Sequence, residues 1–128
     1  MPEYRCDHVH LRSADVNAAA AFYMGMFGAT ENFRRTVDGM LRIGLNLGGL
    51  TLFIDQVPEG TPSSPPPPFI GIEHICLAVS GLDVAAAELK SKGVTFVSEP
   101  RQARPGLSFA FIEGPDRVRI ELVDRKPA

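Results

Sequence analysis

The segment DHVHLRS, residues 7–13, contains two histidines one residue apart in a stretch that alternates between polar and apolar side chains. This alternation predicts a β-strand, on which residues two apart face the same way. His8, His10 and Arg12 therefore share one face, and the apolar residues between them share the other. Because imidazoles bind divalent metals and exchange protons near neutral pH, this face is a candidate site; the alternative is a face that only meets water.

An internal repeat places the third histidine of the chain in the same setting. Residues 6–24 match residues 72–90 at one constant offset, so that His8 corresponds to His74 and His10 to Cys76. Each copy begins with an alternating strand, continues through a short polar turn and enters an alanine-rich helix. The repeat therefore indicates two copies of one structural unit.

The cap at the start of each helix and the strands after it complete the unit. Asp15 or Ser13 is expected to cap the first helix, and Ser80 or Asp83 the second. Three strands are expected to follow each helix: about 30–37, 41–47 and 50–56 in the first copy, and 94–99, 107–113 and 118–124 in the second. The sequence therefore predicts an α+β fold of two tandem β-α-β-β-β modules.

Composition and the linker define the organisation and exclude some partners. We expect one domain over residues 1–128, with module one at about 4–56, a Pro-rich linker at 57–68 and module two at about 69–125. The chain is 45% hydrophobic with a net charge of -2, and no Lys/Arg run suggests nucleic acid or an anionic membrane as partner. Two cysteines form no disulfide framework, and no apolar leader is seen, so we expect a cytoplasmic protein.

Three stretches carry a family resemblance. DHVHLRSADVNAAAAFY opens the first module, GIEHICLAVSGLDVAAAELKSKGV opens the second, and FIEGPDRVRIELVDR resembles a characteristic last hairpin. Together they resemble the vicinal oxygen chelate superfamily, which includes glyoxalase I, methylmalonyl-CoA epimerase, fosfomycin-resistance thiol transferases, extradiol dioxygenases and bleomycin-binding proteins. The resemblance covers essentially the whole chain. It implies modules that form curved half-barrel sheets around a cavity, a small-molecule substrate and a homodimer.

The same resemblance implies a divalent metal ion (Zn, Ni, Co, Mn or Fe) with His8, His74 and Glu121 as ligands. The fourth ligand position of the family falls in LTLFID, residues 50–55. Anchoring on the hairpin turns aligns Phe53 with Glu121, whereas the constant offset of the repeat gives Asp55 as a possible fourth ligand. Such a metal could chelate two adjacent substrate oxygens and stabilise an enolate-type charge.

Other residues are candidates for proton transfer and substrate contact. His10 shares the face of His8 and is a candidate general acid or base together with Glu121; the alternative for His10 is a hydrogen bond within the cavity wall. Six residues are candidate substrate contacts: Arg12, Arg42, Asn46, Cys76, Phe53 and Phe109. A solvated strand face is the alternative for the polar residues, and a small apolar role is the alternative for the cysteine.

Three functions follow from the resemblance. The first is a glyoxalase I-like, metal-dependent lyase or isomerase that acts on a small oxygenated metabolite. The second is a three-ligand enzyme, either a fosfomycin-resistance-like thiol transferase or a dioxygenase. The third is a non-enzymatic protein that binds a small molecule or antibiotic, as bleomycin-resistance proteins do. Metal content separates the third function from the other two.

Overall fold

The computed structural model describes residues 1–126 and divides the chain into two compact units, Met1–Pro62 and the part from Ser63 onward. The first unit contains β1 (Val9–Ser13), α1 (Val16–Phe27), β2 (Thr30–Val37), β3 (Met40–Leu47) and β4 (Leu50–Gln56). Its four strands form one sheet in the order β1-β4-β3-β2, in which β1 is parallel to β4 and the other pairs are antiparallel.

The second unit repeats this order of elements. It contains β5 (Ile75–Ala78), α2 (Leu82–Ser91), β6 (Phe96–Arg104), β7 (Leu107–Glu113), a short 3-10 helix (Pro115–Arg117) and β8 (Arg119–Arg125). The sheet order is β5-β8-β7-β6, again with a parallel first pair. The predicted β-α-β-β-β modules are confirmed, and each is an open four-stranded sheet that is not closed into a barrel. The single domain expected over residues 1–128 stays a prediction.

One face of each sheet packs against the helix of its own unit. In β3 and β4 the alternate residues Ile43, Leu45, Leu52 and Ile54 are fully buried, and α1 faces these strands. In the second unit the buried residues of β7 and β8 include the alternate residues Ala110, Ile112, Ile120 and Leu122. Since neighbouring strand residues point to opposite faces, the intervening residues lie on the other face of each sheet. We call this second surface the site face.

The last strand of each unit also holds the beginning of its helix. Asp15 caps α1 as expected, because its side chain accepts a hydrogen bond from the Ala18 N–H. The expectation that Ser80 or Asp83 caps α2 is wrong: the N-cap is Gly81, and Asp124 of β8 accepts hydrogen bonds from the N–H groups of Gly81 and Leu82, each at 3.1 Å. A long-range acceptor therefore satisfies the free amides that a local residue was expected to cap.

Gln56 of β4 acts in the same way in the first unit. Its side-chain oxygen accepts from the Val16 N–H at 2.9 Å, and its amide donates to the Ala14 carbonyl. Both last strands are thus tied to their helices, which fixes the site face on the opposite side of the sheet. The first strands are shorter than expected: β1 begins after His8 and β5 begins after His74.

Candidate metal centre

Three charged residues and an imidazole form a connected chain on the site face of the second unit. His74 Nδ1 lies 2.5 Å from Glu73 Oε2, and Arg119 donates to Glu73 Oε1 at 2.7 Å. On its other side, His74 Nε2 lies 3.6 Å from Glu121 Oε1. The hydrogen bond with His74 is the main cause that lowers the pKa of Glu73, and the charge of Arg119 lowers it further. The second unit therefore places two ligand-type atoms, Nε2 and Oε1, face to face.

Cys76 lies directly beside Glu121 in the parallel pairing of β5 with β8. The residue is exposed, but desolvation of the thiol and the adjacent Glu121 carboxylate raise the pKa of Cys76 to about 12. Near neutral pH the side chain is therefore a neutral thiol and a poor nucleophile. Its expected role as a substrate contact stays a prediction.

An aromatic stack surrounds His8 in the first unit. The His8 ring is stacked on Phe53, with centroids 4.2 Å apart and an interplanar angle of 19°. Phe33 meets the edge of Phe53 at 5.2 Å, and its own ring covers Gly44, where a side chain would have no room. His8 Nδ1 lies 2.7 Å from the Asp7 carboxylate. The imidazole is therefore held between a carboxylate and a phenyl ring.

The strand register decides which residue of β4 corresponds to Glu121. In β1 and β4, His10 pairs with Phe53, whereas in β5 and β8, Cys76 pairs with Glu121. Because His10 and Cys76 correspond in the repeat, Phe53 occupies the position of Glu121. The alignment anchored on the hairpin turns therefore agrees with the register, and an aromatic ring stands where the second module carries its carboxylate.

Asp55, the possible fourth ligand, is occupied by other residues of its own unit. Arg42 binds it through two hydrogen bonds, of 2.6 Å to Oδ1 and 3.0 Å to Oδ2, and His10 Nε2 lies 2.9 Å from Oδ2. The Arg42 hydrogen bond is the main cause that lowers the pKa of Asp55, with His10 contributing. Asp55 is therefore a carboxylate that orients His10, and Arg42 is committed to an ion pair on the site face.

The remaining candidate contacts have different surroundings. Asn46 accepts a hydrogen bond from the Gly49 N–H and so stabilises the β3–β4 hairpin turn. Phe109 contacts Phe111 and is covered by the guanidinium of Arg101 at 4.9 Å. Arg12 is exposed and pairs in register with Asp55 across β1 and β4, and its side chain makes no hydrogen bond or ion pair within residues 1–126. Among the polar candidates, Arg12 is thus the one whose charge is available to a substrate.

Within residues 1–126, no group of three or more His, Cys, Asp or Glu side chains is gathered as a metal site. The second unit brings together the pair His74 and Glu121, and His8 belongs to the first unit. The donor set nevertheless suits a divalent ion, because imidazole nitrogen and carboxylate oxygen bind Zn, Mn, Fe, Co and Ni alike.

A cavity of about 650 Å³ lies in the second unit and is lined by Glu73 and Arg119, two residues of the connected chain described above. Glu73 and Arg119 form its polar wall together with Arg117, and residues 66–69, three prolines and a phenylalanine, form its apolar wall. A cavity of this size and mixed lining accommodates a small organic molecule. His74 and Glu121 do not line this cavity; Glu73 is the residue of its wall that contacts His74.

Sequence reasoning missed Asp7, Glu73 and Arg119. The signal for the first two was present, because an acidic residue precedes each corresponding histidine in the repeat. Arg119 lies two residues before Glu121 on the same strand and therefore on the same face, so the β-period alone could have placed it beside the site.

Comparisons with known proteins agree with this architecture. The chain is 27% identical over 123 residues to the uncharacterized protein YwkD of Bacillus subtilis, covering 92% of this chain and 94% of that protein. It is 31% identical over 103 residues to the human mitochondrial methylmalonyl-CoA epimerase, covering 74% of this chain and 57% of that protein. The chain thus spans little more than half the length of the epimerase.

Solved structures share the fold at low identity. A glyoxylase/bleomycin resistance protein/dioxygenase domain from Frankia sp. EAN1pec superposes with a TM-score of 0.82 at 19% identity, covering 98% of this chain and 100% of that chain. The fosfomycin resistance protein FosX from Listeria monocytogenes, complexed with Mn(II) and sulfate, gives 0.76 at 18% identity, covering 98% and 95%. A glyoxalase I mutant from Zea mays gives 0.75 at 22% identity, covering 94% and 45%. The expected α+β fold is confirmed.

No helix among the described residues is long and apolar enough to cross a membrane. The family model described as Glyoxalase/Bleomycin resistance protein/Dioxygenase superfamily matches residues 5–122. The resemblance seen in the repeated strand-helix segments is thereby confirmed, and the chain belongs to this superfamily.

Proposed function

We propose that the protein is a metal-dependent lyase or isomerase that moves a proton beside a carbonyl group of a small oxygenated metabolite. The observation that carries the proposal is the contact between His74 Nε2 and Glu121 Oε1 at 3.6 Å. Both carboxylates accept hydrogen bonds, and Glu73 is the nearer of the two at 2.5 Å, so in the neutral imidazole the single proton lies on Nδ1 and Nε2 presents a lone pair. Two lone pairs then face each other, an arrangement that a cation between them stabilises.

The separation of these two atoms, 3.6 Å, is slightly wider than shared coordination requires, so binding of an ion would draw them together. Ligand atoms about 2.1 Å from one ion lie roughly 3.0 to 3.4 Å apart at tetrahedral or octahedral angles. We therefore propose His74 and Glu121 as ligands, together with His8, which is the counterpart of His74 in the repeat and has Nδ1 engaged by Asp7. When bound, the ion would supply a Lewis acid for the negative charge that develops on the substrate oxygen.

His10 is our candidate for the group that moves the proton. Asp55 accepts from His10 Nε2, which leaves the lone pair of Nδ1 available as a base. Arg42 keeps Asp55 ionised and in place through its two hydrogen bonds. Phe53 stands at the fourth ligand position and can supply neither a ligand nor a base. The hydrogen-bonded pair of His10 and Asp55 would supply the base instead.

The relatives support the reaction class. The curated relative with 31% identity is a methylmalonyl-CoA epimerase, and inversion of a stereocentre next to a carbonyl proceeds by removal of the proton at that centre. We propose the same class here, a homodimer as the functional form, and Zn, Ni, Co, Mn or Fe as the metal.

One observation favours a second candidate. With Phe53 in place of a carboxylate, the chain offers three protein ligands, a set that suits a three-ligand enzyme acting on a small drug. The fold likeness to FosX is compatible with this alternative. Thiol transfer to the drug would then replace the proton transfer.

The test is metal binding followed by proton exchange. The purified protein is titrated with Mn²⁺, Co²⁺, Ni²⁺ and Zn²⁺ by calorimetry, and the loaded protein is incubated in D₂O with methylmalonyl-CoA and with a hemithioacetal. We expect about one ion per chain, lost in His74→Ala, and deuterium incorporation that His10→Gln slows by about 10²-fold or more. The control variant is Glu99→Gln, which changes an exposed carboxylate that is paired with Lys90.

The outcomes separate the candidates. Absence of metal binding by the wild-type protein would contradict both enzymatic functions. Metal binding without proton exchange, together with turnover of fosfomycin, would overturn the first function in favour of the second.

A further inference from the structure

We propose that Glu73 and Asp7, the acidic residues immediately before His74 and His8, are positioning residues that hold each imidazole as the Nδ1–H tautomer and direct Nε2 to the metal. This inference rests on the proposed metal site. It deepens that site by assigning a role to two residues outside the family ligand positions.

The contacts around His74 are directional. Glu73 uses both carboxylate oxygens: Oε2 accepts from His74 Nδ1 at 2.5 Å, and Oε1 accepts from Arg119 at 2.7 Å. An ionised carboxylate has no proton to give, so Nδ1 must be the donor. A histidine whose second nitrogen donates to a carboxylate has a fixed ring orientation and a more basic metal-binding nitrogen.

Arg119 makes Glu73 a rigid support for the His74 ring. Its guanidinium fixes one oxygen of Glu73, so that the other oxygen cannot turn away from the imidazole ring. Phe111 meets the His74 ring edge-on, with centroids 5.2 Å apart, and limits the remaining rotation of the ring. Nε2 consequently points to Glu121, the residue with which it would share an ion.

The contribution of Glu73 is to orientation and not to folding. Its side chain is 54% exposed, and ion pairs at such exposed positions contribute little to the free energy of unfolding. Metal affinity, in contrast, depends on whether the imidazole is already held in the binding tautomer, since the free side chain must otherwise adopt it on binding. Loss of such a support typically lowers metal affinity 10–100-fold.

The first unit supports its histidine differently. Asp7 also accepts from Nδ1, of His8, but its side chain is 90% exposed and no second residue within the described chain anchors it. Phe53 instead stacks on the ring at 4.2 Å. Because a stacked ring restricts rotation without selecting a tautomer, removal of Asp7 should have a smaller effect than removal of Glu73.

The first experiment reads the tautomers in the metal-free protein. Long-range ¹H–¹⁵N correlation spectra at pH 8.5, where an ordinary histidine is neutral, distinguish the Nδ1–H from the Nε2–H form. We expect the Nδ1–H form for His74 and His8, and a shift of His74 toward the Nε2–H form in Glu73→Ala. An Nε2–H tautomer of His74 in the wild-type protein would overturn the inference.

The second experiment measures metal affinity by calorimetry with Mn²⁺ and Zn²⁺. Glu73→Ala should weaken binding 10–100-fold, Asp7→Ala should weaken it less, and Glu73→Gln, which keeps an acceptor without its charge, should fall between wild type and Glu73→Ala. Glu99→Ala serves as the matched control, and melting temperatures should change little in the whole set.

Equal metal affinity in Glu73→Ala and wild type would overturn the inference and leave the proposed function standing. If the wild-type protein binds no metal, the proposed function fails, whereas the tautomer spectra still decide whether the acidic residues fix the imidazoles.

Discussion

The two modules differ on one face and agree on the other. On the helix-facing side, Gln56 and Asp124 occupy corresponding places in the last strands, and both accept hydrogen bonds from the first amides of their helices. On the site face, Phe53 stands where the second module carries Glu121. A duplicated unit must retain the residues that pack and cap its helix, whereas the opposite face is free to diverge in its chemistry.

The site faces of the two modules carry different groups of side chains. In the first module, Asp55 and Arg42 organise His10, our candidate proton-transfer group. At the place of His10, the second module carries Cys76, a neutral thiol beside its carboxylate. Under the proposed function, acid–base chemistry would therefore belong to the first module and the stronger share of metal binding to the second.

The largest effect should follow from making the second module resemble the first. Glu121→Phe removes the only carboxylate proposed as a ligand, and we expect metal affinity to fall by more than about 100-fold, beyond the loss typical of a supporting residue. Calorimetric titration with Mn²⁺ measures the change. Because Phe53 is accommodated at the corresponding position, the melting temperature should fall little; undiminished metal affinity would refute the assignment of Glu121.

The helix-facing side of the sheets, on which the two modules agree, predicts the next largest effect. Asp124 is 5% exposed and accepts from two amides of α2, so Asp124→Ala leaves both donors without their acceptor. We expect a loss of about 1–3 kcal/mol in the free energy of unfolding, measured by urea denaturation. Gln56→Ala should act in the same direction through Val16, and Ser80→Ala, a residue expected to cap but not doing so, is the control.

The reverse exchange should have a moderate effect. Phe53→Glu places a carboxylate at the fourth ligand position of the family, and we expect metal affinity to rise by about tenfold. The same change removes the ring that stacks on His8. Phe53→Leu therefore serves as the control that removes the stack without adding a ligand; a gain in both variants, or in neither, would argue against Phe53 as the ligand-position residue.

The fold could be predicted from the sequence to a large extent. The repeat of strand, turn and alanine-rich helix, with glycine and proline at the turns, specified both modules and most of their elements, because these signals are local. The limits of β1, β5 and β6 were less accurate, since the strand expected at 94–99 is Phe96–Arg104 and both first strands are shorter than expected. The cap of α2 could not be predicted, since Gly81 has no side chain and its acceptor, Asp124, lies 43 residues away in the chain.

The candidate site was only partly accessible to the same reasoning. His8, His74 and Glu121 followed from the repeat and the family resemblance. The choice between Phe53 and Asp55 required the register of β1 against β4, which depends on pairing between strands distant in sequence. Likewise, the period of a strand places Arg42 on a face, but its bidentate contact with Asp55 depends on the neighbouring strand.

The smallest expected effect concerns the ion pair of the first module and its dependence on pH. Arg42, first, and then His10 lower the pKa of Asp55, so the folded state binds a proton at this site less readily than the unfolded chain does. The stabilisation is therefore present above the ordinary pKa of about 3.9 and disappears as the pH falls through the lower folded value. Asp55→Asn should lower the melting temperature by a few degrees at pH 6.

The difference in melting temperature between wild type and Asp55→Asn should stay constant from pH 7 to about pH 5 and shrink below about pH 4. Because His10 contacts the same carboxylate, the series is repeated in a His10→Gln background, where the remaining dependence comes from Asp55 and Arg42. A difference that stays unchanged down to pH 2.5 would mean that the carboxylate contributes through packing rather than through its charge. Asp55 would then be a spacer in the first module, and the assignment of acid–base chemistry to that module would lose its support.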